Sequence, residues 1–215
     1  MHVPEPTVTI KADANQVLHQ VNPLLFGLFL EDINFACEGG LNANLVNNHS
    51  FDGVYLDPQA AFAALMGGAP LSPVYDRLRY WQISSGTLES AQTDGAAPQS
   101  WYGRVHSMGQ ARLENLGYNG GLEQAGAPAL SIVADKEYTF SCWLRTLDFE
   151  GQISVAIVDD DGQPLTSAGT LIPPARWQEL KLNITGDKTA YGKLVITCEG
   201  TGVVDLDCIS LYDAD

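Results

Sequence analysis

Basic residues are scarce in this 215-residue chain. It contains 11 Lys and Arg against 26 Asp and Glu, which gives a formal net charge of −15 at pH 7. A surface that binds nucleic acid needs clustered cations to replace the counterions of the phosphates, and anionic membrane surfaces attract proteins through the same charges. We therefore expect no nucleic acid and no membrane among the partners of this protein.

Long apolar segments are missing as well. The longest apolar run extends from Pro23 to Leu30 and stops at Glu31, far short of the roughly 20 residues that cross a bilayer. Lys11 is the only Lys or Arg before it, so the segment does not resemble a signal peptide. The four cysteines show no CxxC spacing, which argues against a zinc or redox centre. Together these features predict a cytoplasmic protein with reduced thiols.

Familiar catalytic motifs are also absent from the sequence. The four histidines are scattered, and no GxSxG element presents a nucleophilic serine. The glycine-rich segment 117–121 lacks the strand-to-helix setting of a phosphate loop. The acidic run 159–161 is followed by Gly162, but Ile157 and Ala168 occupy positions where an EF-hand loop needs acids. Composition and spacing alone therefore assign no reaction to the chain.

The first third of the chain, residues 1–72, has a mixed pattern. Thr7–Ala12 alternates apolar and polar residues, which predicts a half-buried strand. Leu24–Leu30 is continuously apolar, as in a parallel strand that is buried on both faces. Gln59–Met66 is rich in alanine and predicts a short helix. We place a domain boundary after this segment, in the Pro-containing linker at residues 72 and 73.

Residues 73–215 have the texture of an all-β sandwich. Short alternating segments are separated by turn signals, and Asp161-Gly162 is a good hairpin turn. Few helices fit anywhere in this part. The alternation predicts separate strands, of which the clearest are 138–145, 152–158, 177–184, 193–197 and 203–212.

One segment carries a specific motif. It reads Phe26-Gly27-Leu28-Phe29-Leu30-Glu31-Asp32, and Gly39-Gly40-Leu41 and Asn48-His49-Ser50-Phe51 follow it. This order resembles the first βα unit of the α-L-arabinofuranosidases of glycoside hydrolase family 51. An apolar parallel strand that ends in two carboxylates also suits the C-terminal face of a (β/α)₈ barrel. The alternative, that Glu31 and Asp32 only cap the following helix, stays open.

The second part of the chain extends the resemblance. Residues 76–81, 113–118, 138–145 and 205–212 look like a sandwich that many family members insert after the first barrel unit. That insert is similar to jelly-roll carbohydrate-binding modules. The resemblance implies a mainly β fold: a jelly-roll β-sandwich preceded by an N-terminal strand and one βα unit of an incomplete (β/α)₈ barrel.

The catalytic glutamates of the family have no counterpart here. Retaining glycosidases need two carboxyl groups about 5 to 5.5 Å apart, and the family's acid/base glutamate follows an asparagine. No Asn-Glu pair occurs in this chain, and one βα unit cannot close a barrel. The resemblance therefore implies an N-terminal fragment that contains no catalytic residue and is inactive alone.

For the intact enzyme, the resemblance implies retaining hydrolysis of terminal α-L-arabinofuranosyl groups from arabinan or arabinoxylan. Such an enzyme serves L-arabinose metabolism and hemicellulose degradation. Glu31 would contact arabinose in the −1 subsite, and the remainder of the parent chain would be a partner. Two alternatives remain: a free-standing carbohydrate-binding module, and a purely structural domain without a ligand.

The strand at 138–145 offers a candidate sugar-binding face. Because side chains alternate along a strand, Trp143 and Arg145 share one side, while the apolar side chains of the strand share the other. An indole ring provides a flat platform for sugar C–H groups, and a guanidinium donates hydrogen bonds to hydroxyls. Tyr118 and Asn119 would extend the cleft. The alternative is that Trp143 and Arg145 pack against the parent barrel.

No organic cofactor is expected, but the resemblance suggests a metal. Related jelly rolls often hold a structural calcium ion, which prefers oxygen ligands. Asp207, in the predicted closing strand, is the candidate ligand, and its alternative role is that of an ordinary surface or turn carboxylate. The pattern also predicts that Trp81 and Trp177 lie in the core, since each heads a strand whose apolar positions continue its face.

Overall fold

The computed structural model describes residues 43–55, 66–68, 74–93, 95–118 and 128–214. These residues form strands and loops, and the part of the chain that the structure describes contains no helix, so none that could span a membrane. The predicted strand Thr7–Ala12, the apolar run Leu24–Leu30 and residues 59–65 of the predicted helix lie outside these ranges. The ten strands are β1 Val54–Tyr55, β2 Val74–Tyr75, β3 Trp81–Ser85, β4 Thr87–Gln92, β5 Trp101–Asn115, β6 Leu130–Ile132, β7 Glu137–Val158, β8 Gly169–Leu171, β9 Gln178–Thr185 and β10 Ala190–Asp213.

Three long strands form the centre of the main sheet. β10 lies between β5 and β7, and both pairings are antiparallel along most of its length. The shorter strands pair with the outer edges of these three: β3 and β4 with β5, and β8 and β9 with β7. The predicted strands 138–145 and 152–158 are thus one strand, and 193–197 and 203–212 are another.

A row of glycines crosses the three long strands. Gly200 of β10 is paired with Gly109 of β5 on one side and with Gly151 of β7 on the other. A Cβ atom on Gly200 would lie 2.1 Å from the Glu150 carbonyl oxygen, so the backbones approach too closely for any side chain. Glycines at such a crossing permit a sharp bend in a sheet.

The glycine row divides the sheet into two halves. Half-sheet A contains β4, β9 and residues 101–108, 137–148 and 201–213. Half-sheet B contains β3, β6, β8 and residues 109–115, 151–158 and 190–199. Their apolar faces contribute to one contiguous core, which is the arrangement of a sandwich.

The core follows the predicted alternation. Tyr138, Phe140, Cys142 and Leu144 of β7 are each at most 2% exposed, which confirms the apolar side of that strand. Trp81 is 5% exposed and belongs to the core, as predicted. The mainly β fold is therefore confirmed.

The segment 43–53 closes one end of the core. Val46 and Phe51 are fully buried within it, and the Leu45 N–H donates to the Leu211 carbonyl at 2.9 Å. Asn48, which begins the Asn-His-Ser-Phe motif, lies in the left-handed region with φ 50°. Part of the predicted N-terminal domain thus packs on the sandwich, while the proposed boundary at residues 72 and 73 remains a prediction.

Candidate functional site

The strand register aligns five side chains in a row on the outer face of half-sheet A. Asp205 of β10 is paired with Arg104 of β5 on one side and with Arg145 of β7 on the other. Glu89 of β4 is opposite Arg104. The β9 register, which pairs Leu144 with Gln178, brings Trp177 opposite Arg145. The neighbours of these residues along each strand face the core, so the row faces outward.

The two arginines hold the Asp205 carboxylate between them. Arg104 donates from Nε to Oδ1 at 2.8 Å and from Nη2 to Oδ2 at 3.0 Å. Arg145 donates from Nε and Nη2 to Oδ2 at 3.0 and 2.7 Å. Asp205 is fully buried, and four charge-assisted hydrogen bonds compensate its loss of water. The hydrogen bond to this carboxylate also raises the pKa of Arg104 above its ordinary value.

Two aromatic rings complete this group. The Tyr102 hydroxyl accepts hydrogen bonds from Arg104 Nη2 at 3.0 Å and from Arg145 Nη2 at 3.4 Å. The Arg145 guanidinium carbon lies 4.9 Å from the Trp177 ring centroid, within cation–π distance. The Tyr102 and Trp177 rings meet edge to face, with centroids 5.3 Å apart. We call Tyr102, Arg104, Arg145, Trp177 and Asp205 the Asp205 cluster.

Trp143 lies in the next row of the same face. It is opposite Asp207 of β10 and Glu179 of β9, and it is half-buried. Glu179 forms an ion pair with Lys181 at 3.0 Å, with side chains that are 44% and 60% exposed. The structure therefore brings Trp143 and Arg145 to one face, as the alternation predicted, with solvent-exposed charges beside the indole.

Arg145 is less available than the sequence suggested. Its side chain is 15% exposed, and both Nε and Nη2 donate to Asp205. The guanidinium thus fixes the Asp205 carboxylate and lies over the Trp177 ring, so its donors are not directed to solvent.

Asp207 is buried and bonded to the backbone. It is fully inaccessible to solvent; its Oδ1 accepts from the Cys208 N–H at 2.7 Å and its Oδ2 from the Gln99 N–H at 3.1 Å. Burial raises its pKa to about 6. Among the described residues, no group of three His, Cys, Asp or Glu side chains that could hold a metal exists. The role of Asp207 as a calcium ligand therefore stays a prediction.

Tyr118, another predicted site residue, does not join Trp143. The Tyr118 hydroxyl donates to the Val46 carbonyl at 3.4 Å, so Tyr118 packs on the segment that closes the core, beyond the end of β5 in half-sheet B. Glu31 and Asn119 lie outside the described residues. Their predicted roles remain predictions.

Sequence reasoning missed most of the Asp205 cluster. Trp177 is half-buried on the outer face, so its assignment to the core was wrong. Tyr102, Arg104 and Asp205 were not singled out, although alternation within their strands would have put Arg104 and Asp205 on outward faces. What the sequence could not supply was the register, since Asp205 is 101 and 60 residues from its two arginines.

Comparisons with known proteins show similarity to an α-L-arabinofuranosidase. No family model matches the chain. It is 26% identical over 196 residues to an extracellular exo-α-L-arabinofuranosidase of Streptomyces chartreusis, an alignment that covers 91% of this chain and 20% of that protein. The chain thus spans about a fifth of the length of this curated relative.

Two solved structures share the fold. The arabinose-bound family 51 α-L-arabinofuranosidase MgGH51 matches with a TM-score of 0.62 and 19% identity, over 86% of this chain and 29% of that one. The enzymatically active domain of tailspike protein 4 of bacteriophage CBA120 matches with a TM-score of 0.51 and 11% identity, over 79% and 21% of the two chains. At these identities the likeness concerns the fold.

The prediction of a cytoplasmic protein is wrong, because the curated relative is extracellular. The cysteines do not indicate a compartment, for a physical reason. Cys142 and Cys198 are buried in the core, and burial raises the pKa of each thiol to about 12. Such thiols are unreactive in any compartment. The fact that they are free therefore does not indicate whether the protein is cytoplasmic or extracellular. The chain is thus similar in sequence to a part of an exo-α-L-arabinofuranosidase, and in fold to a part of a family 51 α-L-arabinofuranosidase.

Proposed function

We propose that this jelly roll works within an α-L-arabinofuranosidase that releases terminal arabinofuranosyl groups from arabinan or arabinoxylan. The alignment over 91% of the chain with an extracellular exo-α-L-arabinofuranosidase supports this proposal. An extracellular enzyme meets such polysaccharides directly, which agrees with the proposed substrates. Within this enzyme, the jelly roll provides carbohydrate contacts outside the catalytic centre.

The observation that carries the carbohydrate contact is the half-buried indole of Trp143, which lies on the outer face beside the fixed side chain of Arg145. Sugar C–H groups pack on aromatic faces, and an aromatic side chain with few torsions loses little entropy on binding. Glu179 and Lys181 lie at the rim of this face and are solvent-exposed. Their carboxylate and ammonium groups would accept and donate hydrogen bonds to sugar hydroxyls.

Arg145 then acts as a positioning residue. Its Nε and Nη2 donate to Asp205 and its guanidinium carbon lies over the Trp177 ring, so it orders the surface beside Trp143. This differs from the direct hydrogen bond to sugar that the sequence suggested. Replacing Arg145 would weaken binding through disorder of the face.

A second candidate role, contact with another domain of the same enzyme, has its own support. Leu147 and Met108 are 39% and 91% exposed. Both lie on the same face of the sheet as the Asp205 cluster, because Leu147 follows Arg145 by two residues and Met108 follows Arg104 by four. Exposed apolar side chains on one face are typical of an interface. The same experiment distinguishes this role from carbohydrate binding.

Affinity electrophoresis in native gels tests the proposal. The chain is run in gels with arabinan, with arabinoxylan and without polysaccharide. We expect retardation in at least one polysaccharide gel, and its loss in Trp143→Ala. Tyr191→Ala is the matched control, because Tyr191 is an exposed aromatic residue, 68% accessible, in half-sheet B. Unfolding curves confirm that each variant is folded.

Two results would overturn carbohydrate binding at this face. One is normal mobility of the chain in every polysaccharide gel, and the other is retardation that Trp143→Ala leaves unchanged. Either result would leave the face to the interface role.

A further inference from the structure

A second feature, an open groove, lies at the end of half-sheet A. It has a volume of about 520 Å³ and is lined by Asp76, Arg77, Leu78, Ser90 and Trp101. Ser90 is paired with Gly103, and Gly103 faces the buried ring of Phe51. Trp101 alternates with Tyr102, which belongs to the Asp205 cluster. The groove therefore opens on the opposite side of β4 and β5 from that cluster.

The wall of the groove is held in place by the Asn-His-Ser-Phe motif. Asn48 donates from Nδ2 to the carbonyls of Arg77 at 2.9 Å and Arg79 at 2.8 Å. The Trp81 indole N–H donates to the Asn48 carbonyl at 2.9 Å, and the Phe51 ring stacks on Trp81 with centroids 5.3 Å apart. These contacts tie the turn at residues 76–80 to the core, so the groove is preorganised.

The lining combines an aromatic ring with polar groups of both kinds. The Arg77 guanidinium carbon lies 3.8 Å from the Trp101 ring centroid, and Trp101 and Leu78 provide apolar surface. Asp76 and Ser90 provide oxygen acceptors, and the Ser90 hydroxyl is also a donor. Asp52 accepts the Trp101 backbone N–H; burial raises the pKa of Asp52, although the nearby charge of Arg77 opposes this effect.

The charges select the kind of ligand. Arg77 is accompanied by Asp52 and Asp76, in a chain whose formal net charge is −15. An anionic ligand would therefore meet no net positive potential. A neutral ligand with an apolar face and several hydroxyls matches the ring, the donors and the acceptors together.

We infer that the groove is a second carbohydrate-contact site, which binds neutral sugar units of a polysaccharide that passes the end of the sandwich. Its volume falls within the range of about 300 to 1,000 Å³ that is usual for small-ligand sites, and its open shape suits a segment of an oligosaccharide. The inference rests on the proposed function only for the choice of an arabinose-containing ligand.

Indole N–H signals in ¹H–¹⁵N NMR spectra test the groove and the Trp143 face separately. The chain has four tryptophans, so four signals can be assigned with Trp→Phe variants. During titration with an α-1,5-linked arabinotriose, we expect the Trp101 signal to shift and to saturate. Ser90→Arg places a large side chain in the groove and should raise the dissociation constant about tenfold or more. A tenfold change corresponds to about 1.4 kcal/mol of binding free energy.

The matched control is Ser131→Arg, which places the same side chain on an exposed position of the short strand β6. It should leave the Trp101 shifts unchanged. If Ser90→Arg does not fold, Asp76→Asn provides the second variant and should also weaken binding. An acidic galacturonate trisaccharide should produce smaller shifts than the neutral one.

The outcomes separate the two sites. Shifts of Trp143 without any shift of Trp101 would overturn the groove and preserve the proposed function. Shifts of Trp101 without any shift of Trp143 would support the groove and overturn carbohydrate binding at the Trp143 face. Preference for the acidic trisaccharide, or equal binding by Ser90→Arg, would also overturn the inference.

Discussion

Asp205 lies at the centre of the outer face, and its replacement by asparagine removes one negative charge without changing the size of the side chain. The carboxylate is fully buried and accepts four hydrogen bonds from Arg104 and Arg145. An asparagine keeps one acceptor oxygen, and its amide nitrogen would face a guanidinium donor. The substitution therefore leaves two cations beside each other without the carboxylate that lies between them.

The expected cost is large for a single isosteric change. Removing one partner of a buried ion pair typically costs about 3 to 5 kcal/mol. The side chains of Arg104 and Arg145 retain 25% and 15% exposure, so water can partly solvate them after the change. We expect Asp205→Asn to lower the free energy of unfolding by about 2 to 3 kcal/mol, which is at or just below the lower end of that range.

Urea unfolding followed by circular dichroism measures this difference. Glu179→Gln is the matched control, because it neutralises a carboxylate on the same face whose partner Lys181 is 60% exposed. Exposed pairs contribute about 0.2 to 1 kcal/mol, so the control should change the midpoint little. If both variants lose the same small free energy at equal m-values, the reasoning about the Asp205 cluster is refuted.

Three other properties can be predicted from the same description. Because burial raises the pKa of Asp207 from 3.8 to about 6, its contribution to stability is complete below pH 3.8 and is lost as the pH rises through 6. The free energy of unfolding of Asp207→Asn should therefore rise by about 3 kcal/mol relative to that of the unchanged chain as the pH increases from about 4 to 7. The exposed Asp161→Asn should show no such rise. Parallel pH profiles of the free energy of unfolding for Asp207→Asn and the unchanged chain would contradict this. Gly200→Ala should destabilise the fold more than Gly109→Ala, because a Cβ at Gly200 meets a backbone oxygen at 2.1 Å while one at Gly109 meets nothing within 4 Å, and equal thermal midpoints would argue against the glycine row. The chain alone should not hydrolyse an aryl α-L-arabinofuranoside, since it has no Asn-Glu pair, and turnover that disappears in Glu31→Gln would disprove this.

The mainly β fold was predicted from the alternation of apolar and polar residues along the chain. The alternation in β7 correctly divided core from outward side chains because one face of that strand packs on a single core. The turn at Asp161-Gly162 was also recognisable: Gly162 has φ 79°, and Val158 bridges to Pro164 across it. Such features depend only on neighbouring residues.

The glycines at 151 and 200 show where local reasoning fails. Each stands between two alternating segments and therefore looks like the turn that separates two strands. In the fold they are paired with each other across β7 and β10, and each strand continues through them. A glycine that ends a strand and one that bends it have the same local sequence signal.

The candidate site was only half predictable for a related reason. Trp143 and Arg145 are on one strand, so alternation alone grouped them. Asp205, which uses the donors of Arg145, comes from a strand 60 residues away. Its pairing depends on which strands lie side by side, and a single sequence does not contain that information.

A crystal structure of the chain with an α-1,5-linked arabino-oligosaccharide would show directly whether the Trp143 face binds carbohydrate. We expect an arabinose ring packed against the indole of Trp143, with its hydroxyls near Glu179 and Lys181 and with the Asp205 cluster unchanged. An oligosaccharide that binds elsewhere and leaves the Trp143 face empty at saturating concentration would contradict it.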